Sequence, residues 1–180
     1  MFVTLKRLEW IDPNTMTRIL LLSDTHNYLD DKVLKYAEPC DQIWHAGDIG
    51  TVAVSDKLKA AKPLVAVHGN IDGKDIRKEF PEHQRLRCED VNVWMTHIGG
   101  TGPGRYPPQV RDSLRASPVK LFICGHSHIL KVIYDKSYNM LYINPGAAGN
   151  YGAHKVKTLL RFTIDKAEVK DLEVVEFGKL

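Results

Sequence analysis

Five short apolar runs in this 180-residue chain each end in side chains of metal-ligand type. Asp24-Thr25-His26 follows Ile19 to Leu22, Gly47-Asp48 follows Gln42 to Trp44, and Gly69-Asn70 follows Pro63 to Val67. Thr96-His97 closes Val91 to Met95, and Gly125-His126-Ser127-His128 closes Val119 to Cys124. The donors are carboxylate, imidazole and amide oxygen without thiolate, a set that suits manganese, iron, zinc or nickel better than Cu(I) and is too rich in nitrogen for calcium. Together Asp24, His26, Asp48, Asn70, His97, His126 and His128 exceed the needs of one tetrahedral or octahedral ion. They fill two neighbouring ions if one carboxylate bridges and open positions hold water or substrate. Asp48 is the natural bridge.

Residues so far apart in sequence converge only if a sheet gathers them. From Arg18 to Ser127 the apolar runs alternate with polar segments of helical character, as in strand-helix-strand units around a largely parallel sheet. Ligand sites in such sheets lie outside the carboxyl ends of the strands. On extended backbone, residues two apart point to one side, so Asp24 with His26, and His126 with His128, are each expected to act as a pincer. The glycines before Asp48, Asn70 and His126 let the chain turn sharply and an ion or substrate come close.

Val33, Leu34 and Ala37 share one face of an expected helix, Val54, Leu58 and Ala61 that of a second, and Val110 and Leu114 that of a third opened by Pro107-Pro108. After His128 the period becomes two. Val156 to Ile164 alternates, Ile129 to Tyr134 and Met140 to Ile143 bracket a hairpin, and Val169 to Phe177 reads as a last strand. The C-terminal third is therefore expected to be antiparallel sheet without helices. The fold class is α/β (mixed α+β), two packed sheets flanked by helices, in one domain over residues 18–180. Residues 1–17 read as a peripheral N-terminal leader, with Met16 as an alternative start.

The ordered set D-x-H, G-D, G-N, strand-end T-H and G-H-x-H resembles the calcineurin-like metallophosphoesterase superfamily, in particular its small single-domain YfcE-type phosphodiesterases. The resemblance covers Arg18 to about Phe177. It implies a four-layer αββα sandwich of two mixed sheets, and a first ion held at Asp24, His26, Asp48 and His128. A second ion would be held at Asp48, Asn70, His97 and His126, and Asn144-Pro145-Gly146 looks like the family's C-terminal loop near the site. Manganese heads the expected metals, with zinc, iron, nickel or magnesium as alternatives. Two divalent ions roughly 3.5–4 Å apart would share a hydroxide that attacks phosphorus in line, and Asp48, Asn70 and His97 are the catalytic candidates. One departure stands out: many members carry a histidine after the G-N asparagine that can protonate the leaving group, and this chain has Ile71-Asp72. Small YfcE-type members also lack it.

Two residues are candidates for substrate binding. Arg105 sits in the glycine-rich stretch Gly99 to Tyr106, which could cradle a phosphate or be an ordinary surface turn. His68 shares the strand side of Asn70 and could support it, protonate a leaving group, or be a hydrogen-bonded structural histidine. His45 could likewise brace the site, or be a hydrogen-bonded structural histidine. Asp72 could orient a water or ligand, or simply form a turn. His83 and His154 lie outside the motifs and read as surface residues, Cys124 as core, and Trp10, Trp44 and Trp94 as packing.

Composition narrows the classes. Hydrophobic residues at 43% and charged residues at 26% exclude disorder, collagen and coiled coil. No apolar run approaches a membrane span. Lys plus Arg exceed Asp plus Glu by 25 − 22 = 3 without a basic tract or an aromatic platform, which argues against a nucleic-acid partner. Three scattered cysteines with no CxxC pair fit a reducing, cytoplasmic setting. The sequence thus points to a metal-dependent phosphoesterase acting on a small-molecule phosphodiester, with exposed sheet edges leaving room for a homodimer. The alternative from another class is a non-catalytic scaffold like the retromer subunit of the same fold, which would tolerate loss of a ligand.

Overall fold

The computed structural model describes residues 16–179. The expected leader falls almost wholly on residues 1–15, outside the described residues, and Thr17 already opens a strand. The first half runs β1 (Thr17–Leu22), α1 (Asp31–Ala37), β2 (Gln42–His45), α2 (Val52–Ala61), β3 (Leu64–Ala66), α3 (Lys74–Glu79), β4 (His83–Cys88) and β5 (Val91–Thr96). There follow α4 (Pro108–Ala116), β6 (Leu121–Ile123), β7 (Lys131–Asp135), β8 (Met140–Asn144), β9 (Val156–Asp165) and β10 (Glu168–Lys179).

The strands form two five-stranded sheets, ordered β10-β9-β1-β2-β3 and β4-β5-β6-β8-β7. In the first, β1, β2 and β3 are parallel while β9 and β10 are antiparallel. In the second, β5, β6 and β8 are parallel, with β4 and β7 antiparallel at the edges. Ile19 and Leu21 face the space between the sheets, with Trp44, Phe162, Val93, Met95 and Ile123. Leu20 and Leu22 face outward, under Val33 of α1, Leu58 of α2 and Ile76 of α3. Covered on both sides, β1 shows no polar alternation, which is why its sequence is an unbroken apolar run. On the far side, Val110 and Leu114 of α4 cover Trp94, Phe122 and Tyr142 of the second sheet. The result is the four-layer αββα sandwich. Among the described residues no helix is long and apolar enough to cross a membrane.

The C-terminal third departs from expectation. Its two hairpins separate, β7-β8 completing the second sheet and β9-β10 the first, and β8 runs parallel to β6. The two hairpins dock on different strands, β8 beside β6 and β9 beside β1. Neither α3, a helix of 6 residues, nor β4, a polar edge strand, was evident in the sequence pattern.

Candidate metal centre

The C-terminal ends of β1, β2, β3, β5 and β6 deliver the candidate ligands to one crevice at the seam between the sheets. Backbone pairing continues past the strands. Asp24 N–H donates to the Gly47 carbonyl at 3.0 Å, and His26 N–H to that of Asp48 at 3.0 Å. Across the seam, His126 N–H donates to Asp24 Oδ2 at 3.1 Å. Two donor clusters result, Asp24 with His26 and His128, and Asp48 with His97 and His126, the ligand atoms of each lying within 4.8 Å of one another. Asp48 Oδ2 is 3.2 Å from His97 Nε2 and 3.7 Å from His26 Nε2, which puts it between the clusters.

The pincers differ from the extended geometry expected of them, and His126 and His128 serve different clusters. Backbone φ is positive at Asp24 (56°), His26 (46°), Asp48 (56°), His126 (67°) and His128 (56°). Each left-handed L-residue costs about 1–2 kcal/mol, so five at one place persist only because the surrounding bonds enforce them. At Gly69 a side chain makes the close approach: a methyl group there would overlap Asp48 Oδ1.

The charges of the crevice are unbalanced. Asp24 is fully buried and Asp48 is 2% exposed, and among the described residues their ion-pair partners within 4 Å are histidines alone. Asp24 Oδ1 and His97 Nε2 are buried without a hydrogen-bond partner. Two buried carboxylates without a lysine or arginine are costly, and a divalent cation would satisfy both orphaned atoms. The donor set fits such an ion.

Burial lowers the His26 pKa below its ordinary value against the pull of Asp48 and Asp24, which leaves a neutral ring able to ligate. At His97 burial acts the same way but is outweighed by the neighbouring Asp48 and Asp24 carboxylates, which raise the pKa. Asp48, although burial opposes ionisation, is held below the carboxylate range by His97 and the Ile71 N–H. His97 Nδ1 donates to the Ala46 carbonyl at 2.8 Å, which directs Nε2 to the crevice.

Three further residues hold the turns. His45, fully buried and pushed down to about 4 by desolvation, accepts from Gly47 N–H at 3.2 Å and bonds Thr25 Oγ1 at 3.0 Å, bracing two ligand turns. Asp72 accepts from the N–H groups of Ile49 (3.2 Å), Gly50 (2.6 Å) and Gly69 (2.7 Å). Arg77 donates to the carbonyls of Asp72 (2.7 Å), Gly69 (3.0 Å) and Asn70 (3.2 Å), fixing the turn that carries Asn70. Arg77 was not singled out from sequence, and the only signal for it is its place five residues beyond Asp72.

Asn70 is exposed and, with His68, Arg77, Glu82, His97 and Ile98, lines a cleft of about 150 Å³ beside the second cluster. Arg105 lies apart from that lining. It is exposed on a loop whose backbone is tied down through Tyr142 Oη to Gly100 O (2.9 Å) and Lys131 Nζ to Thr101 O (2.6 Å).

The segment after Asn144-Pro145-Gly146 closes the first cluster. Asn144 Nδ2 donates to the Gly125 carbonyl at 2.7 Å, and Gly149 N–H to that of Asp24 at 3.0 Å. His154, expected on the open surface, instead stands edge-on to His128 with ring centroids 5.4 Å apart. Gly152 has φ of +130°, and a methyl group on it would overlap His128 Nδ1. Gly152→Ala is therefore expected to weaken divalent-cation binding about 10–100-fold, as titration calorimetry would read it. Gly104→Ala is the control, since it also has positive φ but open space around the added carbon. Equal affinities for the two variants would sink this expectation.

The calcineurin-like phosphoesterase superfamily domain profile matches residues 17–167. A probable metallophosphoesterase of Methanocaldococcus jannaschii is 28% identical over 166 residues, covering 87% of this chain and 81% of that protein. Two solved structures share the fold. A novel archaeal phosphodiesterase has a TM-score of 0.66 at 21% identity, covering 88% of this chain and 99% of that one. Vps29 of Chaetomium thermophilum has a TM-score of 0.69 at 17% identity, covering 91% and 100%. Since the segment matched by the profile carries every one of the strand-tip donors, the chain belongs to the calcineurin-like phosphoesterase superfamily.

Proposed function

We propose that this protein is a hydrolase of phosphodiesters that works with two divalent ions, manganese first among them. The observation that supports this most strongly is the pair of donor clusters meeting at Asp48, with orphaned Asp24 Oδ1 and His97 Nε2 buried between them. Asp24, His26, Asp48 and His128 would hold one ion, and Asp48, Asn70, His97 and His126 the other. When bound, such ions supply a nucleophile from water near neutral pH and positive charge for the phosphoryl oxygens.

The chain does the positioning. Asp72 and Arg77 fix the Asn70 turn, and the cleft beside it receives one ester arm, with His68 the imidazole there outside the donor clusters. Asp72 cannot protonate a leaving group, because both its oxygens already accept backbone N–H groups. The scaffold reading shares the fold, but the complete donor set with five strained ligand residues weighs against it. Three free, buried cysteines fit a reducing compartment, and we assign the protein to the cytoplasm on that ground.

Chelation followed by re-addition of manganese, magnesium, zinc or nickel tests the proposal, with bis(p-nitrophenyl) phosphate and p-nitrophenyl phosphate as substrates. Stripped protein is expected to lose about a hundredfold or more of its diester activity and to recover it with manganese, the diester remaining preferred over the monoester. Full activity after chelation, or no hydrolysis with any metal, would refute it.

A further inference from the structure

Tyr151 is 70% exposed, the highest value among the large hydrophobic side chains of the described residues, yet it lies inside the site. Its ring centroid is 5.0 Å from that of the candidate ligand His26, at 49°. Most of the ring is therefore open to solvent beside His26. It does not sit on a loose loop. Ala148 N–H donates to the Ser23 carbonyl at 2.9 Å and Gly149 N–H to that of Asp24 at 3.0 Å. Asn150 Oδ1 accepts from Lys157 Nζ at 3.2 Å, and His154 Nε2 donates to the Gly149 carbonyl at 3.1 Å. The backbone just before the ring is thus tied to the turn that carries Asp24. Tyr28, the other tyrosine of this region, has Lys157 Nζ 4.8 Å over its ring.

A phosphodiester has two arms. The cleft lined by His68, Asn70 and Arg77 lies at the second cluster, while Tyr151 lies at the first, so an ester spanning the site presents one arm to each. We infer that Tyr151 is the specificity-determining platform of this site, stacking a planar aromatic group on one arm, and that the substrate class is phosphodiesters of the nucleoside type. This rests on the phosphodiesterase reading. An exposed ring suits the task, because base–aromatic stacking contributes about 1–3 kcal/mol.

The test compares two diesters with one leaving group, thymidine 5′-(p-nitrophenyl phosphate) and methyl p-nitrophenyl phosphate, on the manganese-loaded protein. Wild type is expected to show a KM about tenfold lower for the nucleoside ester. Tyr151→Phe keeps that ratio, and Tyr151→Ala brings it to about one. Any loosening of His26 by Tyr151→Ala affects both esters and cancels in the ratio, so a merely structural role leaves it unmoved. A ratio that survives Tyr151→Ala, or a wild type without preference, overturns the inference and leaves diester hydrolysis standing. Failure of wild type to hydrolyse either ester overturns the phosphodiesterase reading itself.

Discussion

Manganese-loaded Asp48→Asn protein is expected to hydrolyse phosphodiesters about a thousandfold more slowly than wild type, or worse. Asp48 lies between the clusters, with Oδ2 at 3.2 Å from His97 Nε2 and 3.7 Å from His26 Nε2, while Oδ1 accepts the Ile71 N–H at 3.1 Å. An asparagine oxygen can take over the Ile71 bond. Its NH₂ group then points at the bridging position, where a donor repels a cation and the negative charge is gone. Elemental analysis is expected to show at most one tightly held ion per chain. Retention of wild-type turnover would mean that Asp48 does not bridge.

Asp72→Ala is the variant with the largest expected effect on stability, about 4 kcal/mol. The carboxylate is 3% exposed and accepts three backbone N–H groups, two from the turn after β2 and one from the turn after β3. Alanine leaves all three donors unpaired, two of them buried, a loss comparable to a third of the stability of an ordinary domain. Thermal unfolding is expected to move down by roughly 8–16 °C, at about 2–4 °C per kcal/mol for a chain of this size. Asp72→Asn keeps one acceptor oxygen and falls between. A shift below about 2 °C for Asp72→Ala would show that water satisfies those groups after all.

The strand tips could be read from the sequence because β1, β2, β5 and β6 are largely buried, so their runs are mostly apolar and the polar residue after each stands out. The identities of the donors follow from that alone. Their backbone does not. Positive φ at Asp24, His26 and His128 is imposed by bonds such as His26 N–H to the Asp48 carbonyl, between residues 22 positions apart, and no local pattern records it. The reach of Asp72 to the turn after β2 escaped for the same reason, since Asp after Gly-Asn reads as a turn former and its donors at Ile49 and Gly50 lie more than 20 residues upstream. Arg77 sits on a helix of 6 residues, too short for a periodic signal. Tyr151 and His154 follow an Asn-Pro-Gly turn in a stretch without periodicity, and only the return of the chain to the Asp24 turn shows what they face. The parallel pairing of β8 with β6 was hidden because hairpin chemistry fixes β7 against β8 and is silent about the other neighbour.

Each donor cluster takes residues from both sheets: Asp24 and His26 follow β1 while His128 follows β6, and Asp48 follows β2 while His97 and His126 follow β5 and β6. A cation lodged there is a rivet through two slabs. The nascent chain has no high-affinity receptor for it until both slabs have come together, so metal capture belongs at the end of maturation and then locks the halves that created it.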